Sequence, residues 1–223
     1  QHFAVEAGVG IGKSYGYLVP ALLYNQKMKR PVIIATSTIT LQEQLWKDVN
    51  KVMPMLGVKP EVILAKGQPH SLCHTRADEY LKAEGDASSP VLREGIEKDL
   101  QDRRDYPADL PQSLWDKVNV QRFSMKNCGT CPNKCLYYAI RSQIRWTDGI
   151  VICNQDFLTS HMMKLRQGFE GLINNSADLI IVDEALNFDD KVRSATTVYV
   201  SQGKLISILR RAVNELRPTE RPN

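Results

Sequence analysis

Apolar residues along this chain fall into short, nearly unbroken runs rather than strict alternation. Pro31-Val32-Ile33-Ile34-Ala35-Thr36, Glu61-Val62-Ile63-Leu64-Ala65, Ile150-Val151-Ile152-Cys153 and Leu179-Ile180-Ile181-Val182 each read as a buried strand, and His2 to Val5 as a shorter one. Runs without polar gaps suit parallel strands covered on both faces. Helical stretches lie between them. One spans Lys13 to about Asn25, with Tyr17, Leu18, Ala21 and Leu22 at core spacing; another spans Leu41 to about Met53, with Thr38 in place to cap it. Strands alternating with helices predict an α/β fold with a doubly wound parallel sheet.

Residues 67 to about 146 break this rhythm. They hold a polar stretch from Glu84 to Pro90, a charged helical segment from Leu92 to Arg104 and a second helical segment near Leu114 to Val118. No strand pattern occurs there, so a small helical module inserted between two strands is expected. After Asp190, the spacing of Leu205, Ile208, Leu209, Ala212, Val213 and Leu216 predicts an amphipathic helix. There is no internal repeat.

Composition narrows the classes. The 223 residues are 43% hydrophobic, enough for a sizeable core, and the net charge of +4 permits nucleic-acid binding without requiring it. No stretch is long and apolar enough to span a membrane. The chain opens directly on the expected first strand, with no signal peptide in view, which leads to the expectation of further sequence upstream. Five cysteines without a secretion signal favour metal or iron–sulfur ligation over disulfides.

The chemistry begins at Ala7-Gly8-Val9-Gly10-Ile11-Gly12-Lys13-Ser14. Glycines let backbone N–H groups turn inward around a triphosphate, Lys13 can reach the β- and γ-phosphates, and the Ser14 hydroxyl can ligate Mg²⁺. Ala7 stands where the usual pattern has glycine. A strand before this loop and a helix after it form the context that a phosphate-binding loop needs. Its acidic partner is Asp183-Glu184, which the run Leu179 to Val182 delivers to the carboxyl end of a strand, where α/β sheets bind ligand. Asp183 is expected to hold Mg²⁺ through water, and Glu184 to polarise the attacking water in phosphoryl transfer.

Cys128, Cys131 and Cys135 lie within eight residues, and Cys73 lies at the other end of the expected insert. Four thiols so placed would clamp the module's ends around zinc or an iron–sulfur cluster, and ligand count alone does not separate the two. His74 is a competing ligand beside Cys73. Cys153, inside an apolar strand, reads as an ordinary core residue.

Taken together, these motifs resemble the DinG-like helicases, relatives of the XPD group within superfamily 2. Glu6 to Ser14 resembles helicase motif I, Thr36 to Leu45 motif Ia, and Lys66-Gly67-Gln68 leading to Cys73 the entry to an iron–sulfur domain. Asp148 to Gln155 resembles the strand and Asn-His element that follows that domain, and Val182 to Asn187 resembles motif II.

The resemblance implies a RecA-like first motor domain in two parts, residues 1–66 and 147–190. Between them, residues 67–146 would form an inserted iron–sulfur domain, and residues 191–223 would start an arch region. It implies a [4Fe–4S] cluster on Cys73, Cys128, Cys131 and Cys135, together with ATP and Mg²⁺. It further implies 5′→3′ translocation on single-stranded DNA, unwinding of forked DNA, and a cytoplasmic, nucleoid-associated protein of bacterial type. Contacts to DNA would come from Ser37, Thr38, Gln42 and Lys66, with Lys126, Lys134, Arg141 and Arg145 lining a path beside the aromatic residues of Arg122-Phe123 and Tyr137-Tyr138. Two positions depart from the family pattern: Leu186 replaces the motif II histidine, and Gln155 replaces the histidine after Asn154. No second motor domain or arginine finger follows residue 190, so weak nucleotide binding and no unwinding are expected of this chain alone. The competing expectation is a zinc-stabilised, ATP-dependent nucleic-acid-binding regulator without unwinding activity.

Overall fold

The computed structural model describes residues 2–8, 10–84, 89–121, 128, 135–197, 202, 203, 205, 206 and 209. Its centre is a four-stranded, all-parallel sheet. The strands are β1 (Val32–Thr36), β2 (Val62–Ala65), β3 (Ile150–Asn154) and β4 (Leu179–Val182), in the order β2-β3-β1-β4. Val32 lies opposite Ile150 on one side and Leu179 on the other, and Val62 lies opposite Ile150. Eight α-helices accompany the sheet among the described residues.

The unbroken apolar runs are explained by two cores, one on each face. Val32 and Ile34 of β1 join Ile150 and Ile152 of β3 in one core with α1 (Lys13–Met28) and α2 (Ile39–Leu56). Ile33, Ala35, Val151 and Cys153 point the other way, toward α6 (Leu136–Trp146) and α7 (Gln155–Arg166). Because side chains alternate across a strand, a strand covered on both faces has no polar position to spare. Gly149 marks a close approach: a Cβ there would press into the Glu61 carbonyl, which receives the Ile150 N–H at 2.8 Å.

The expected strand at His2 to Val5 is not formed. Residues 2–8 carry no regular element, and Phe3 and Val5 are 91% and 72% exposed. A strand exists only as one side of a ladder, and no described residue pairs with this segment. Among the described residues nothing pairs with the outer edge of β4, and Ile180 is 45% exposed.

The segment between β2 and β3 has a core of its own. Ala77 of α3 (His74–Glu84), Leu92 of α4 (Pro90–Glu97) and Trp115 and Val118 of α5 (Gln112–Val118) pack together with Leu72, Tyr106 and Leu110 of the connecting segments. Tyr106 and Trp115 are 5.2 Å apart in a tilted arrangement, and the Trp115 indole N–H donates to the Pro69 carbonyl at 2.6 Å. The expected helix from Leu92 to Arg104 is shorter than its charge pattern suggested. It stops at Glu97, Asp99 turns left-handed at φ 54, and the Leu100 N–H returns to the Gly95 carbonyl. Tyr106 packs directly on Gly95, where a Cβ would run into its ring.

After β4 come a 3₁₀ turn (Ala185–Asn187) and α8 (Phe188–Thr196). Of the expected later helix, Leu205 and Leu209 are helical and exposed. Ile208, Ala212, Val213 and Leu216 lie outside the described residues.

Candidate active site

All four strands run the same way, so their carboxyl ends share one edge. Ser37, Lys66, Gln155 and Asp183 each follow the last residue of a strand there. The chemistry gathers at this edge, where backbone N–H and C=O groups leave the ladder.

The glycine loop approaches the same edge. Gly10 and Gly12 adopt φ 80 and 79, a left-handed backbone that side chains rarely allow. Gly12 is the N-cap of α1 and offers no side-chain cap, and the first turn holds no acidic residue. The free N–H groups and the positive end of the helix dipole therefore face outward, ready for an anion. Ala7 is half-buried, and Gly8, Gly10, Ile11 and Gly12 are exposed. Val9 lies outside the described residues.

Lys13 Nζ stands 3.9 Å from Glu184 Oε1, with both side chains partly in solvent. The Asp183 N–H continues the ladder to the Ala35 carbonyl at 2.8 Å. Its carboxylate is gripped at both oxygens: the Tyr17 hydroxyl donates to Oδ2 and the Glu184 N–H donates to Oδ1, each at 3.0 Å. Burial, then the Asp183 charge and this hydrogen bond, push the Tyr17 phenol well above its ordinary range, against a smaller opposing hydrogen bond from Ser14. Lys13, Ser14, Asp183 and Glu184 are thereby brought together, as the sequence leads one to expect.

Two residues of this site escaped the sequence reading. Tyr17 counted only as a core position of α1, although its phenol lies one turn beyond Ser14. Gln155 is fully buried, and its amide donates to the carbonyls of Asp183 at 2.8 Å and Glu184 at 3.1 Å. Glu184 itself is left-handed at φ 56 and ψ 43, a costly conformation for a side-chain-bearing residue. The available signal was position: Gln155 follows β3 as Asp183 follows β4. Leu186, in the 3₁₀ turn, is 91% exposed.

The residues expected to touch DNA divide. Ser37 is half-buried, and Thr38 caps α2 by accepting the Leu41 N–H at 3.2 Å. Gln42 is interior: its amide joins the Ala65 and Ile152 carbonyls at 2.7 and 3.0 Å, tying α2 to β2 and β3. Lys66 is also interior, held by Glu43 at 3.0 Å and Asp102 at 2.7 Å. Arg104 pairs with both carboxylates from the other side. Lys66 lies where β2 leaves the sheet, and these acids neutralise it there rather than leaving it as a surface cation. Arg141 is likewise buried, donating to the Leu172 carbonyl, and Arg145 pairs with Glu170. Arg122, Phe123, Lys126 and Lys134 lie outside the described residues.

Cys73, Cys128 and Cys135 are free and half-buried. Cys73 is pinned to α5 through its N–H to the Val118 carbonyl at 2.9 Å. Cys135 caps α6, its Sγ accepting the Tyr138 N–H at 3.4 Å. Burial raises the Cys135 thiol most, backbone N–H groups of Tyr138 and Tyr137 oppose this, and Cys128 and Cys73 add to the rise. Cys135 thus registers the other two, and thiolates are the donors that a thiophilic cation takes. Among the described residues, no three His, Cys, Asp or Glu side chains are close enough to hold a metal ion. Cys131 lies outside those residues. His74 Nε2 lies 3.6 Å from Asp99. Cys153 is a core residue as expected, its thiol pushed up to about 12 by complete burial.

Residues 92–205, more than half of the chain, match the model of the DEAD_2 family. The chain belongs to the DEAD_2 family. This DEAD_2 chain is 31% identical over 200 residues to the ATP-dependent DNA helicase YoaA of Escherichia coli, covering 85% of the chain and 30% of that protein. It is 30% identical over 203 residues to the 3′-5′ exonuclease DinG of Bacillus subtilis, covering 85% of the chain and 20% of that protein. It is 28% identical over 233 residues to the probable ATP-dependent helicase YpvA of Bacillus subtilis, covering 95% of the chain and 36% of that protein. The resemblance to DinG-like helicases is borne out by these relatives, and the chain spans between a fifth and just over a third of their length. No helix among the described residues is long and apolar enough to cross a membrane.

Proposed function

We propose that this DEAD_2 chain is the ATP-binding half of a DNA helicase motor. The observation that carries the reading is the meeting of loop and acidic pair at one sheet edge, with Lys13 3.9 Å from Glu184 and Tyr17 of the following helix donating to Asp183. Lys13 would neutralise the β- and γ-phosphates, and the N–H groups at the start of α1 would cradle them. Ser14 and Asp183 supply the hard oxygen donors that Mg²⁺ prefers, and the bound ion would screen the phosphate charge. Glu184 would orient the attacking water once Lys13 turns from it to the phosphates. The relatives named as ATP-dependent helicases support the reading.

The finer assignments belong to the same proposal. Residues 67–146 form an inserted domain whose own apolar core supports its separateness. Cys73, Cys128, Cys131 and Cys135 would hold a [4Fe–4S] cluster through their thiolates, which would tie the two ends of the insert together. The motor runs 5′→3′ on single-stranded DNA and opens forks. Lys13 and Glu184 remain 37% and 48% exposed, as a half-site awaiting a second wall would be. The 223-residue chain therefore binds nucleotide weakly and does not unwind DNA by itself. The exposed Leu186 gives the zinc-stabilised regulator its one specific support, since the family's histidine is absent there.

Anaerobic purification with iron, sulfide and zinc analysis, followed by fluorescence anisotropy on single-stranded and duplex DNA, tests the reading. Four irons per chain and a preference for single strands are expected. One zinc without iron, or equal affinity for duplex, would favour the regulator.

A further inference from the structure

β2 forms the edge of the sheet away from β4. Successive residues of a strand turn their N–H and C=O groups to opposite sides. The Glu61 carbonyl takes the Ile150 N–H at 2.8 Å, so Glu61, Ile63 and Ala65 face β3. Val62 and Leu64 therefore turn theirs outward, and no described residue pairs with them there. A row of unpaired donors and acceptors is a template for one more strand, and Val62-Ile63-Leu64-Ala65 carries no charge or proline to blunt it.

This edge opens into a cleft of about 450 Å³, with α2 on one side and α6 on the other. Trp46 and Lys47 of α2 stand on the face that carries Val62 and Leu64, and Ile140 of α6 on the face that carries Ile63. Trp46 is 40% exposed, an aromatic anchor without a cover. Arg104 also lines the cleft, but Glu43 and Asp102 occupy its guanidinium. Lys47 is exposed, and among the described residues no carboxylate pairs with it. Glu61 stands at the amino end of β2, accepting from the Thr147 hydroxyl at 2.5 Å. The cleft therefore offers a free cation beside α2 and repels acid at the amino end of β2.

We propose that this cleft takes an extended segment of a partner protein. The segment adds a strand beside β2 through the outward groups of Val62 and Leu64. Its side chains alternate between the two faces, so apolar residues meet Trp46 on one and Ile140 on the other, and a carboxylate meets Lys47. A second copy of this chain fits less well: antiparallel pairing would set α2 beside α2 and Lys47 against a cation. The inference is independent of the nucleotide site.

The test pans a phage-displayed library of random peptides, about nine residues long to match a strand, on the 223-residue chain. Selected peptides are then measured by fluorescence anisotropy. They are expected to combine apolar residues with Asp or Glu, and to bind Trp46→Ala at least about tenfold more weakly than the parent. Methylating their amides at alternate residues should abolish binding in one of the two phases, because only one set faces β2. Lys47→Glu should weaken them about fivefold, and exchanging their acid for Lys should restore the loss. Both side chains are exposed, so the variants should fold as the parent does, which circular dichroism checks. No enrichment over a blank surface, equal binding to the parent and both variants, or tolerance of methylation in both phases overturns the proposal. A parent chain that sediments as a dimer, and that either variant dissociates, assigns the edge to a second copy and overturns it as well.

Discussion

The side chain of Gln155 holds the backbone of Asp183: its amide nitrogen lies 2.8 Å from the Asp183 carbonyl oxygen and reaches the Glu184 carbonyl as well. The first residue after β3 thus braces the turn after β4, where Glu184 adopts its left-handed backbone. A strained residue persists only where its surroundings over-determine it, and Gln155 is the buried group that does so here.

Replacing it tests that brace. Gln155→Leu keeps the volume but leaves two carbonyls without their donor, a loss of about 1–2 kcal/mol. The melting temperature should fall by roughly 2–8 °C for a chain of this size. Mg·ATP affinity should fall with it, while Gln155→His, which retains a donor, should lose less. Unchanged melting and affinity in Gln155→Leu would show that the turn holds itself.

Acid should act through the cluster of Lys66, Glu43, Asp102 and Arg104. Burial works to raise the Asp102 carboxyl, but hydrogen bonds from Arg104 and Lys66 outweigh it and bring it down to about 2, against an ordinary 3.8. A carboxyl depressed by folding contributes stability above its unfolded value and loses it as pH falls toward the folded one. The parent should therefore lose stability between about pH 4 and pH 2, and Asp102→Asn should flatten that part of the curve. Lys66→Met removes one of the two cations from acids that Arg104 still pairs, and should destabilise by about 1–3 kcal/mol at neutral pH. Parallel acid unfolding curves for parent and Asp102→Asn would contradict the assignment.

Trp115 anchors the core between β2 and β3. Trp115→Ala should cost that core about 3–5 kcal/mol. Because its packing is separate from both faces of the sheet, hydrogen exchange should speed up in residues 72–118 while β1 and β3 stay protected. Uniform loss of protection would mean one cooperative unit instead.

The cysteine assignment predicts a local consequence of ligand loss. Cys131→Ser should lower bound metal and expose residues 74–127 to protease, because the long loop from Cys73 to Cys128 loses its closure. Unchanged metal content and cleavage would remove Cys131 from the ligand set.

Much of this was legible in the sequence, for physical reasons. Residues such as Val32, Ile34, Ile150 and Ile152 carry the sheet because two-sided burial leaves a simple apolar signature, and four of the five expected strands formed. The segment from His2 to Val5 has similar composition, yet pairing is non-local and composition cannot supply a partner. The approach of Lys13 to Glu184 was to be expected from the sequence, because phosphate chemistry restricts the spelling of both segments. Tyr17 and Gln155 were not, because their roles depend on which strand ends become neighbours. Lys66 and Arg141 looked like surface cations, since nothing local reveals that Glu43 and Asp102 close over Lys66 or that the Leu172 carbonyl waits for Arg141.

The central claim is that the loop from Ala7 to Ser14 and the pair Asp183-Glu184 form one nucleotide site. Equilibrium titration of the parent chain and Lys13→Ala with Mg·ATP tests it most directly. The account predicts saturable binding by the parent and an affinity at least about tenfold weaker for Lys13→Ala, as expected for a lost charged hydrogen bond to phosphate. Equal affinity in the two proteins, or no binding by the parent, would contradict it.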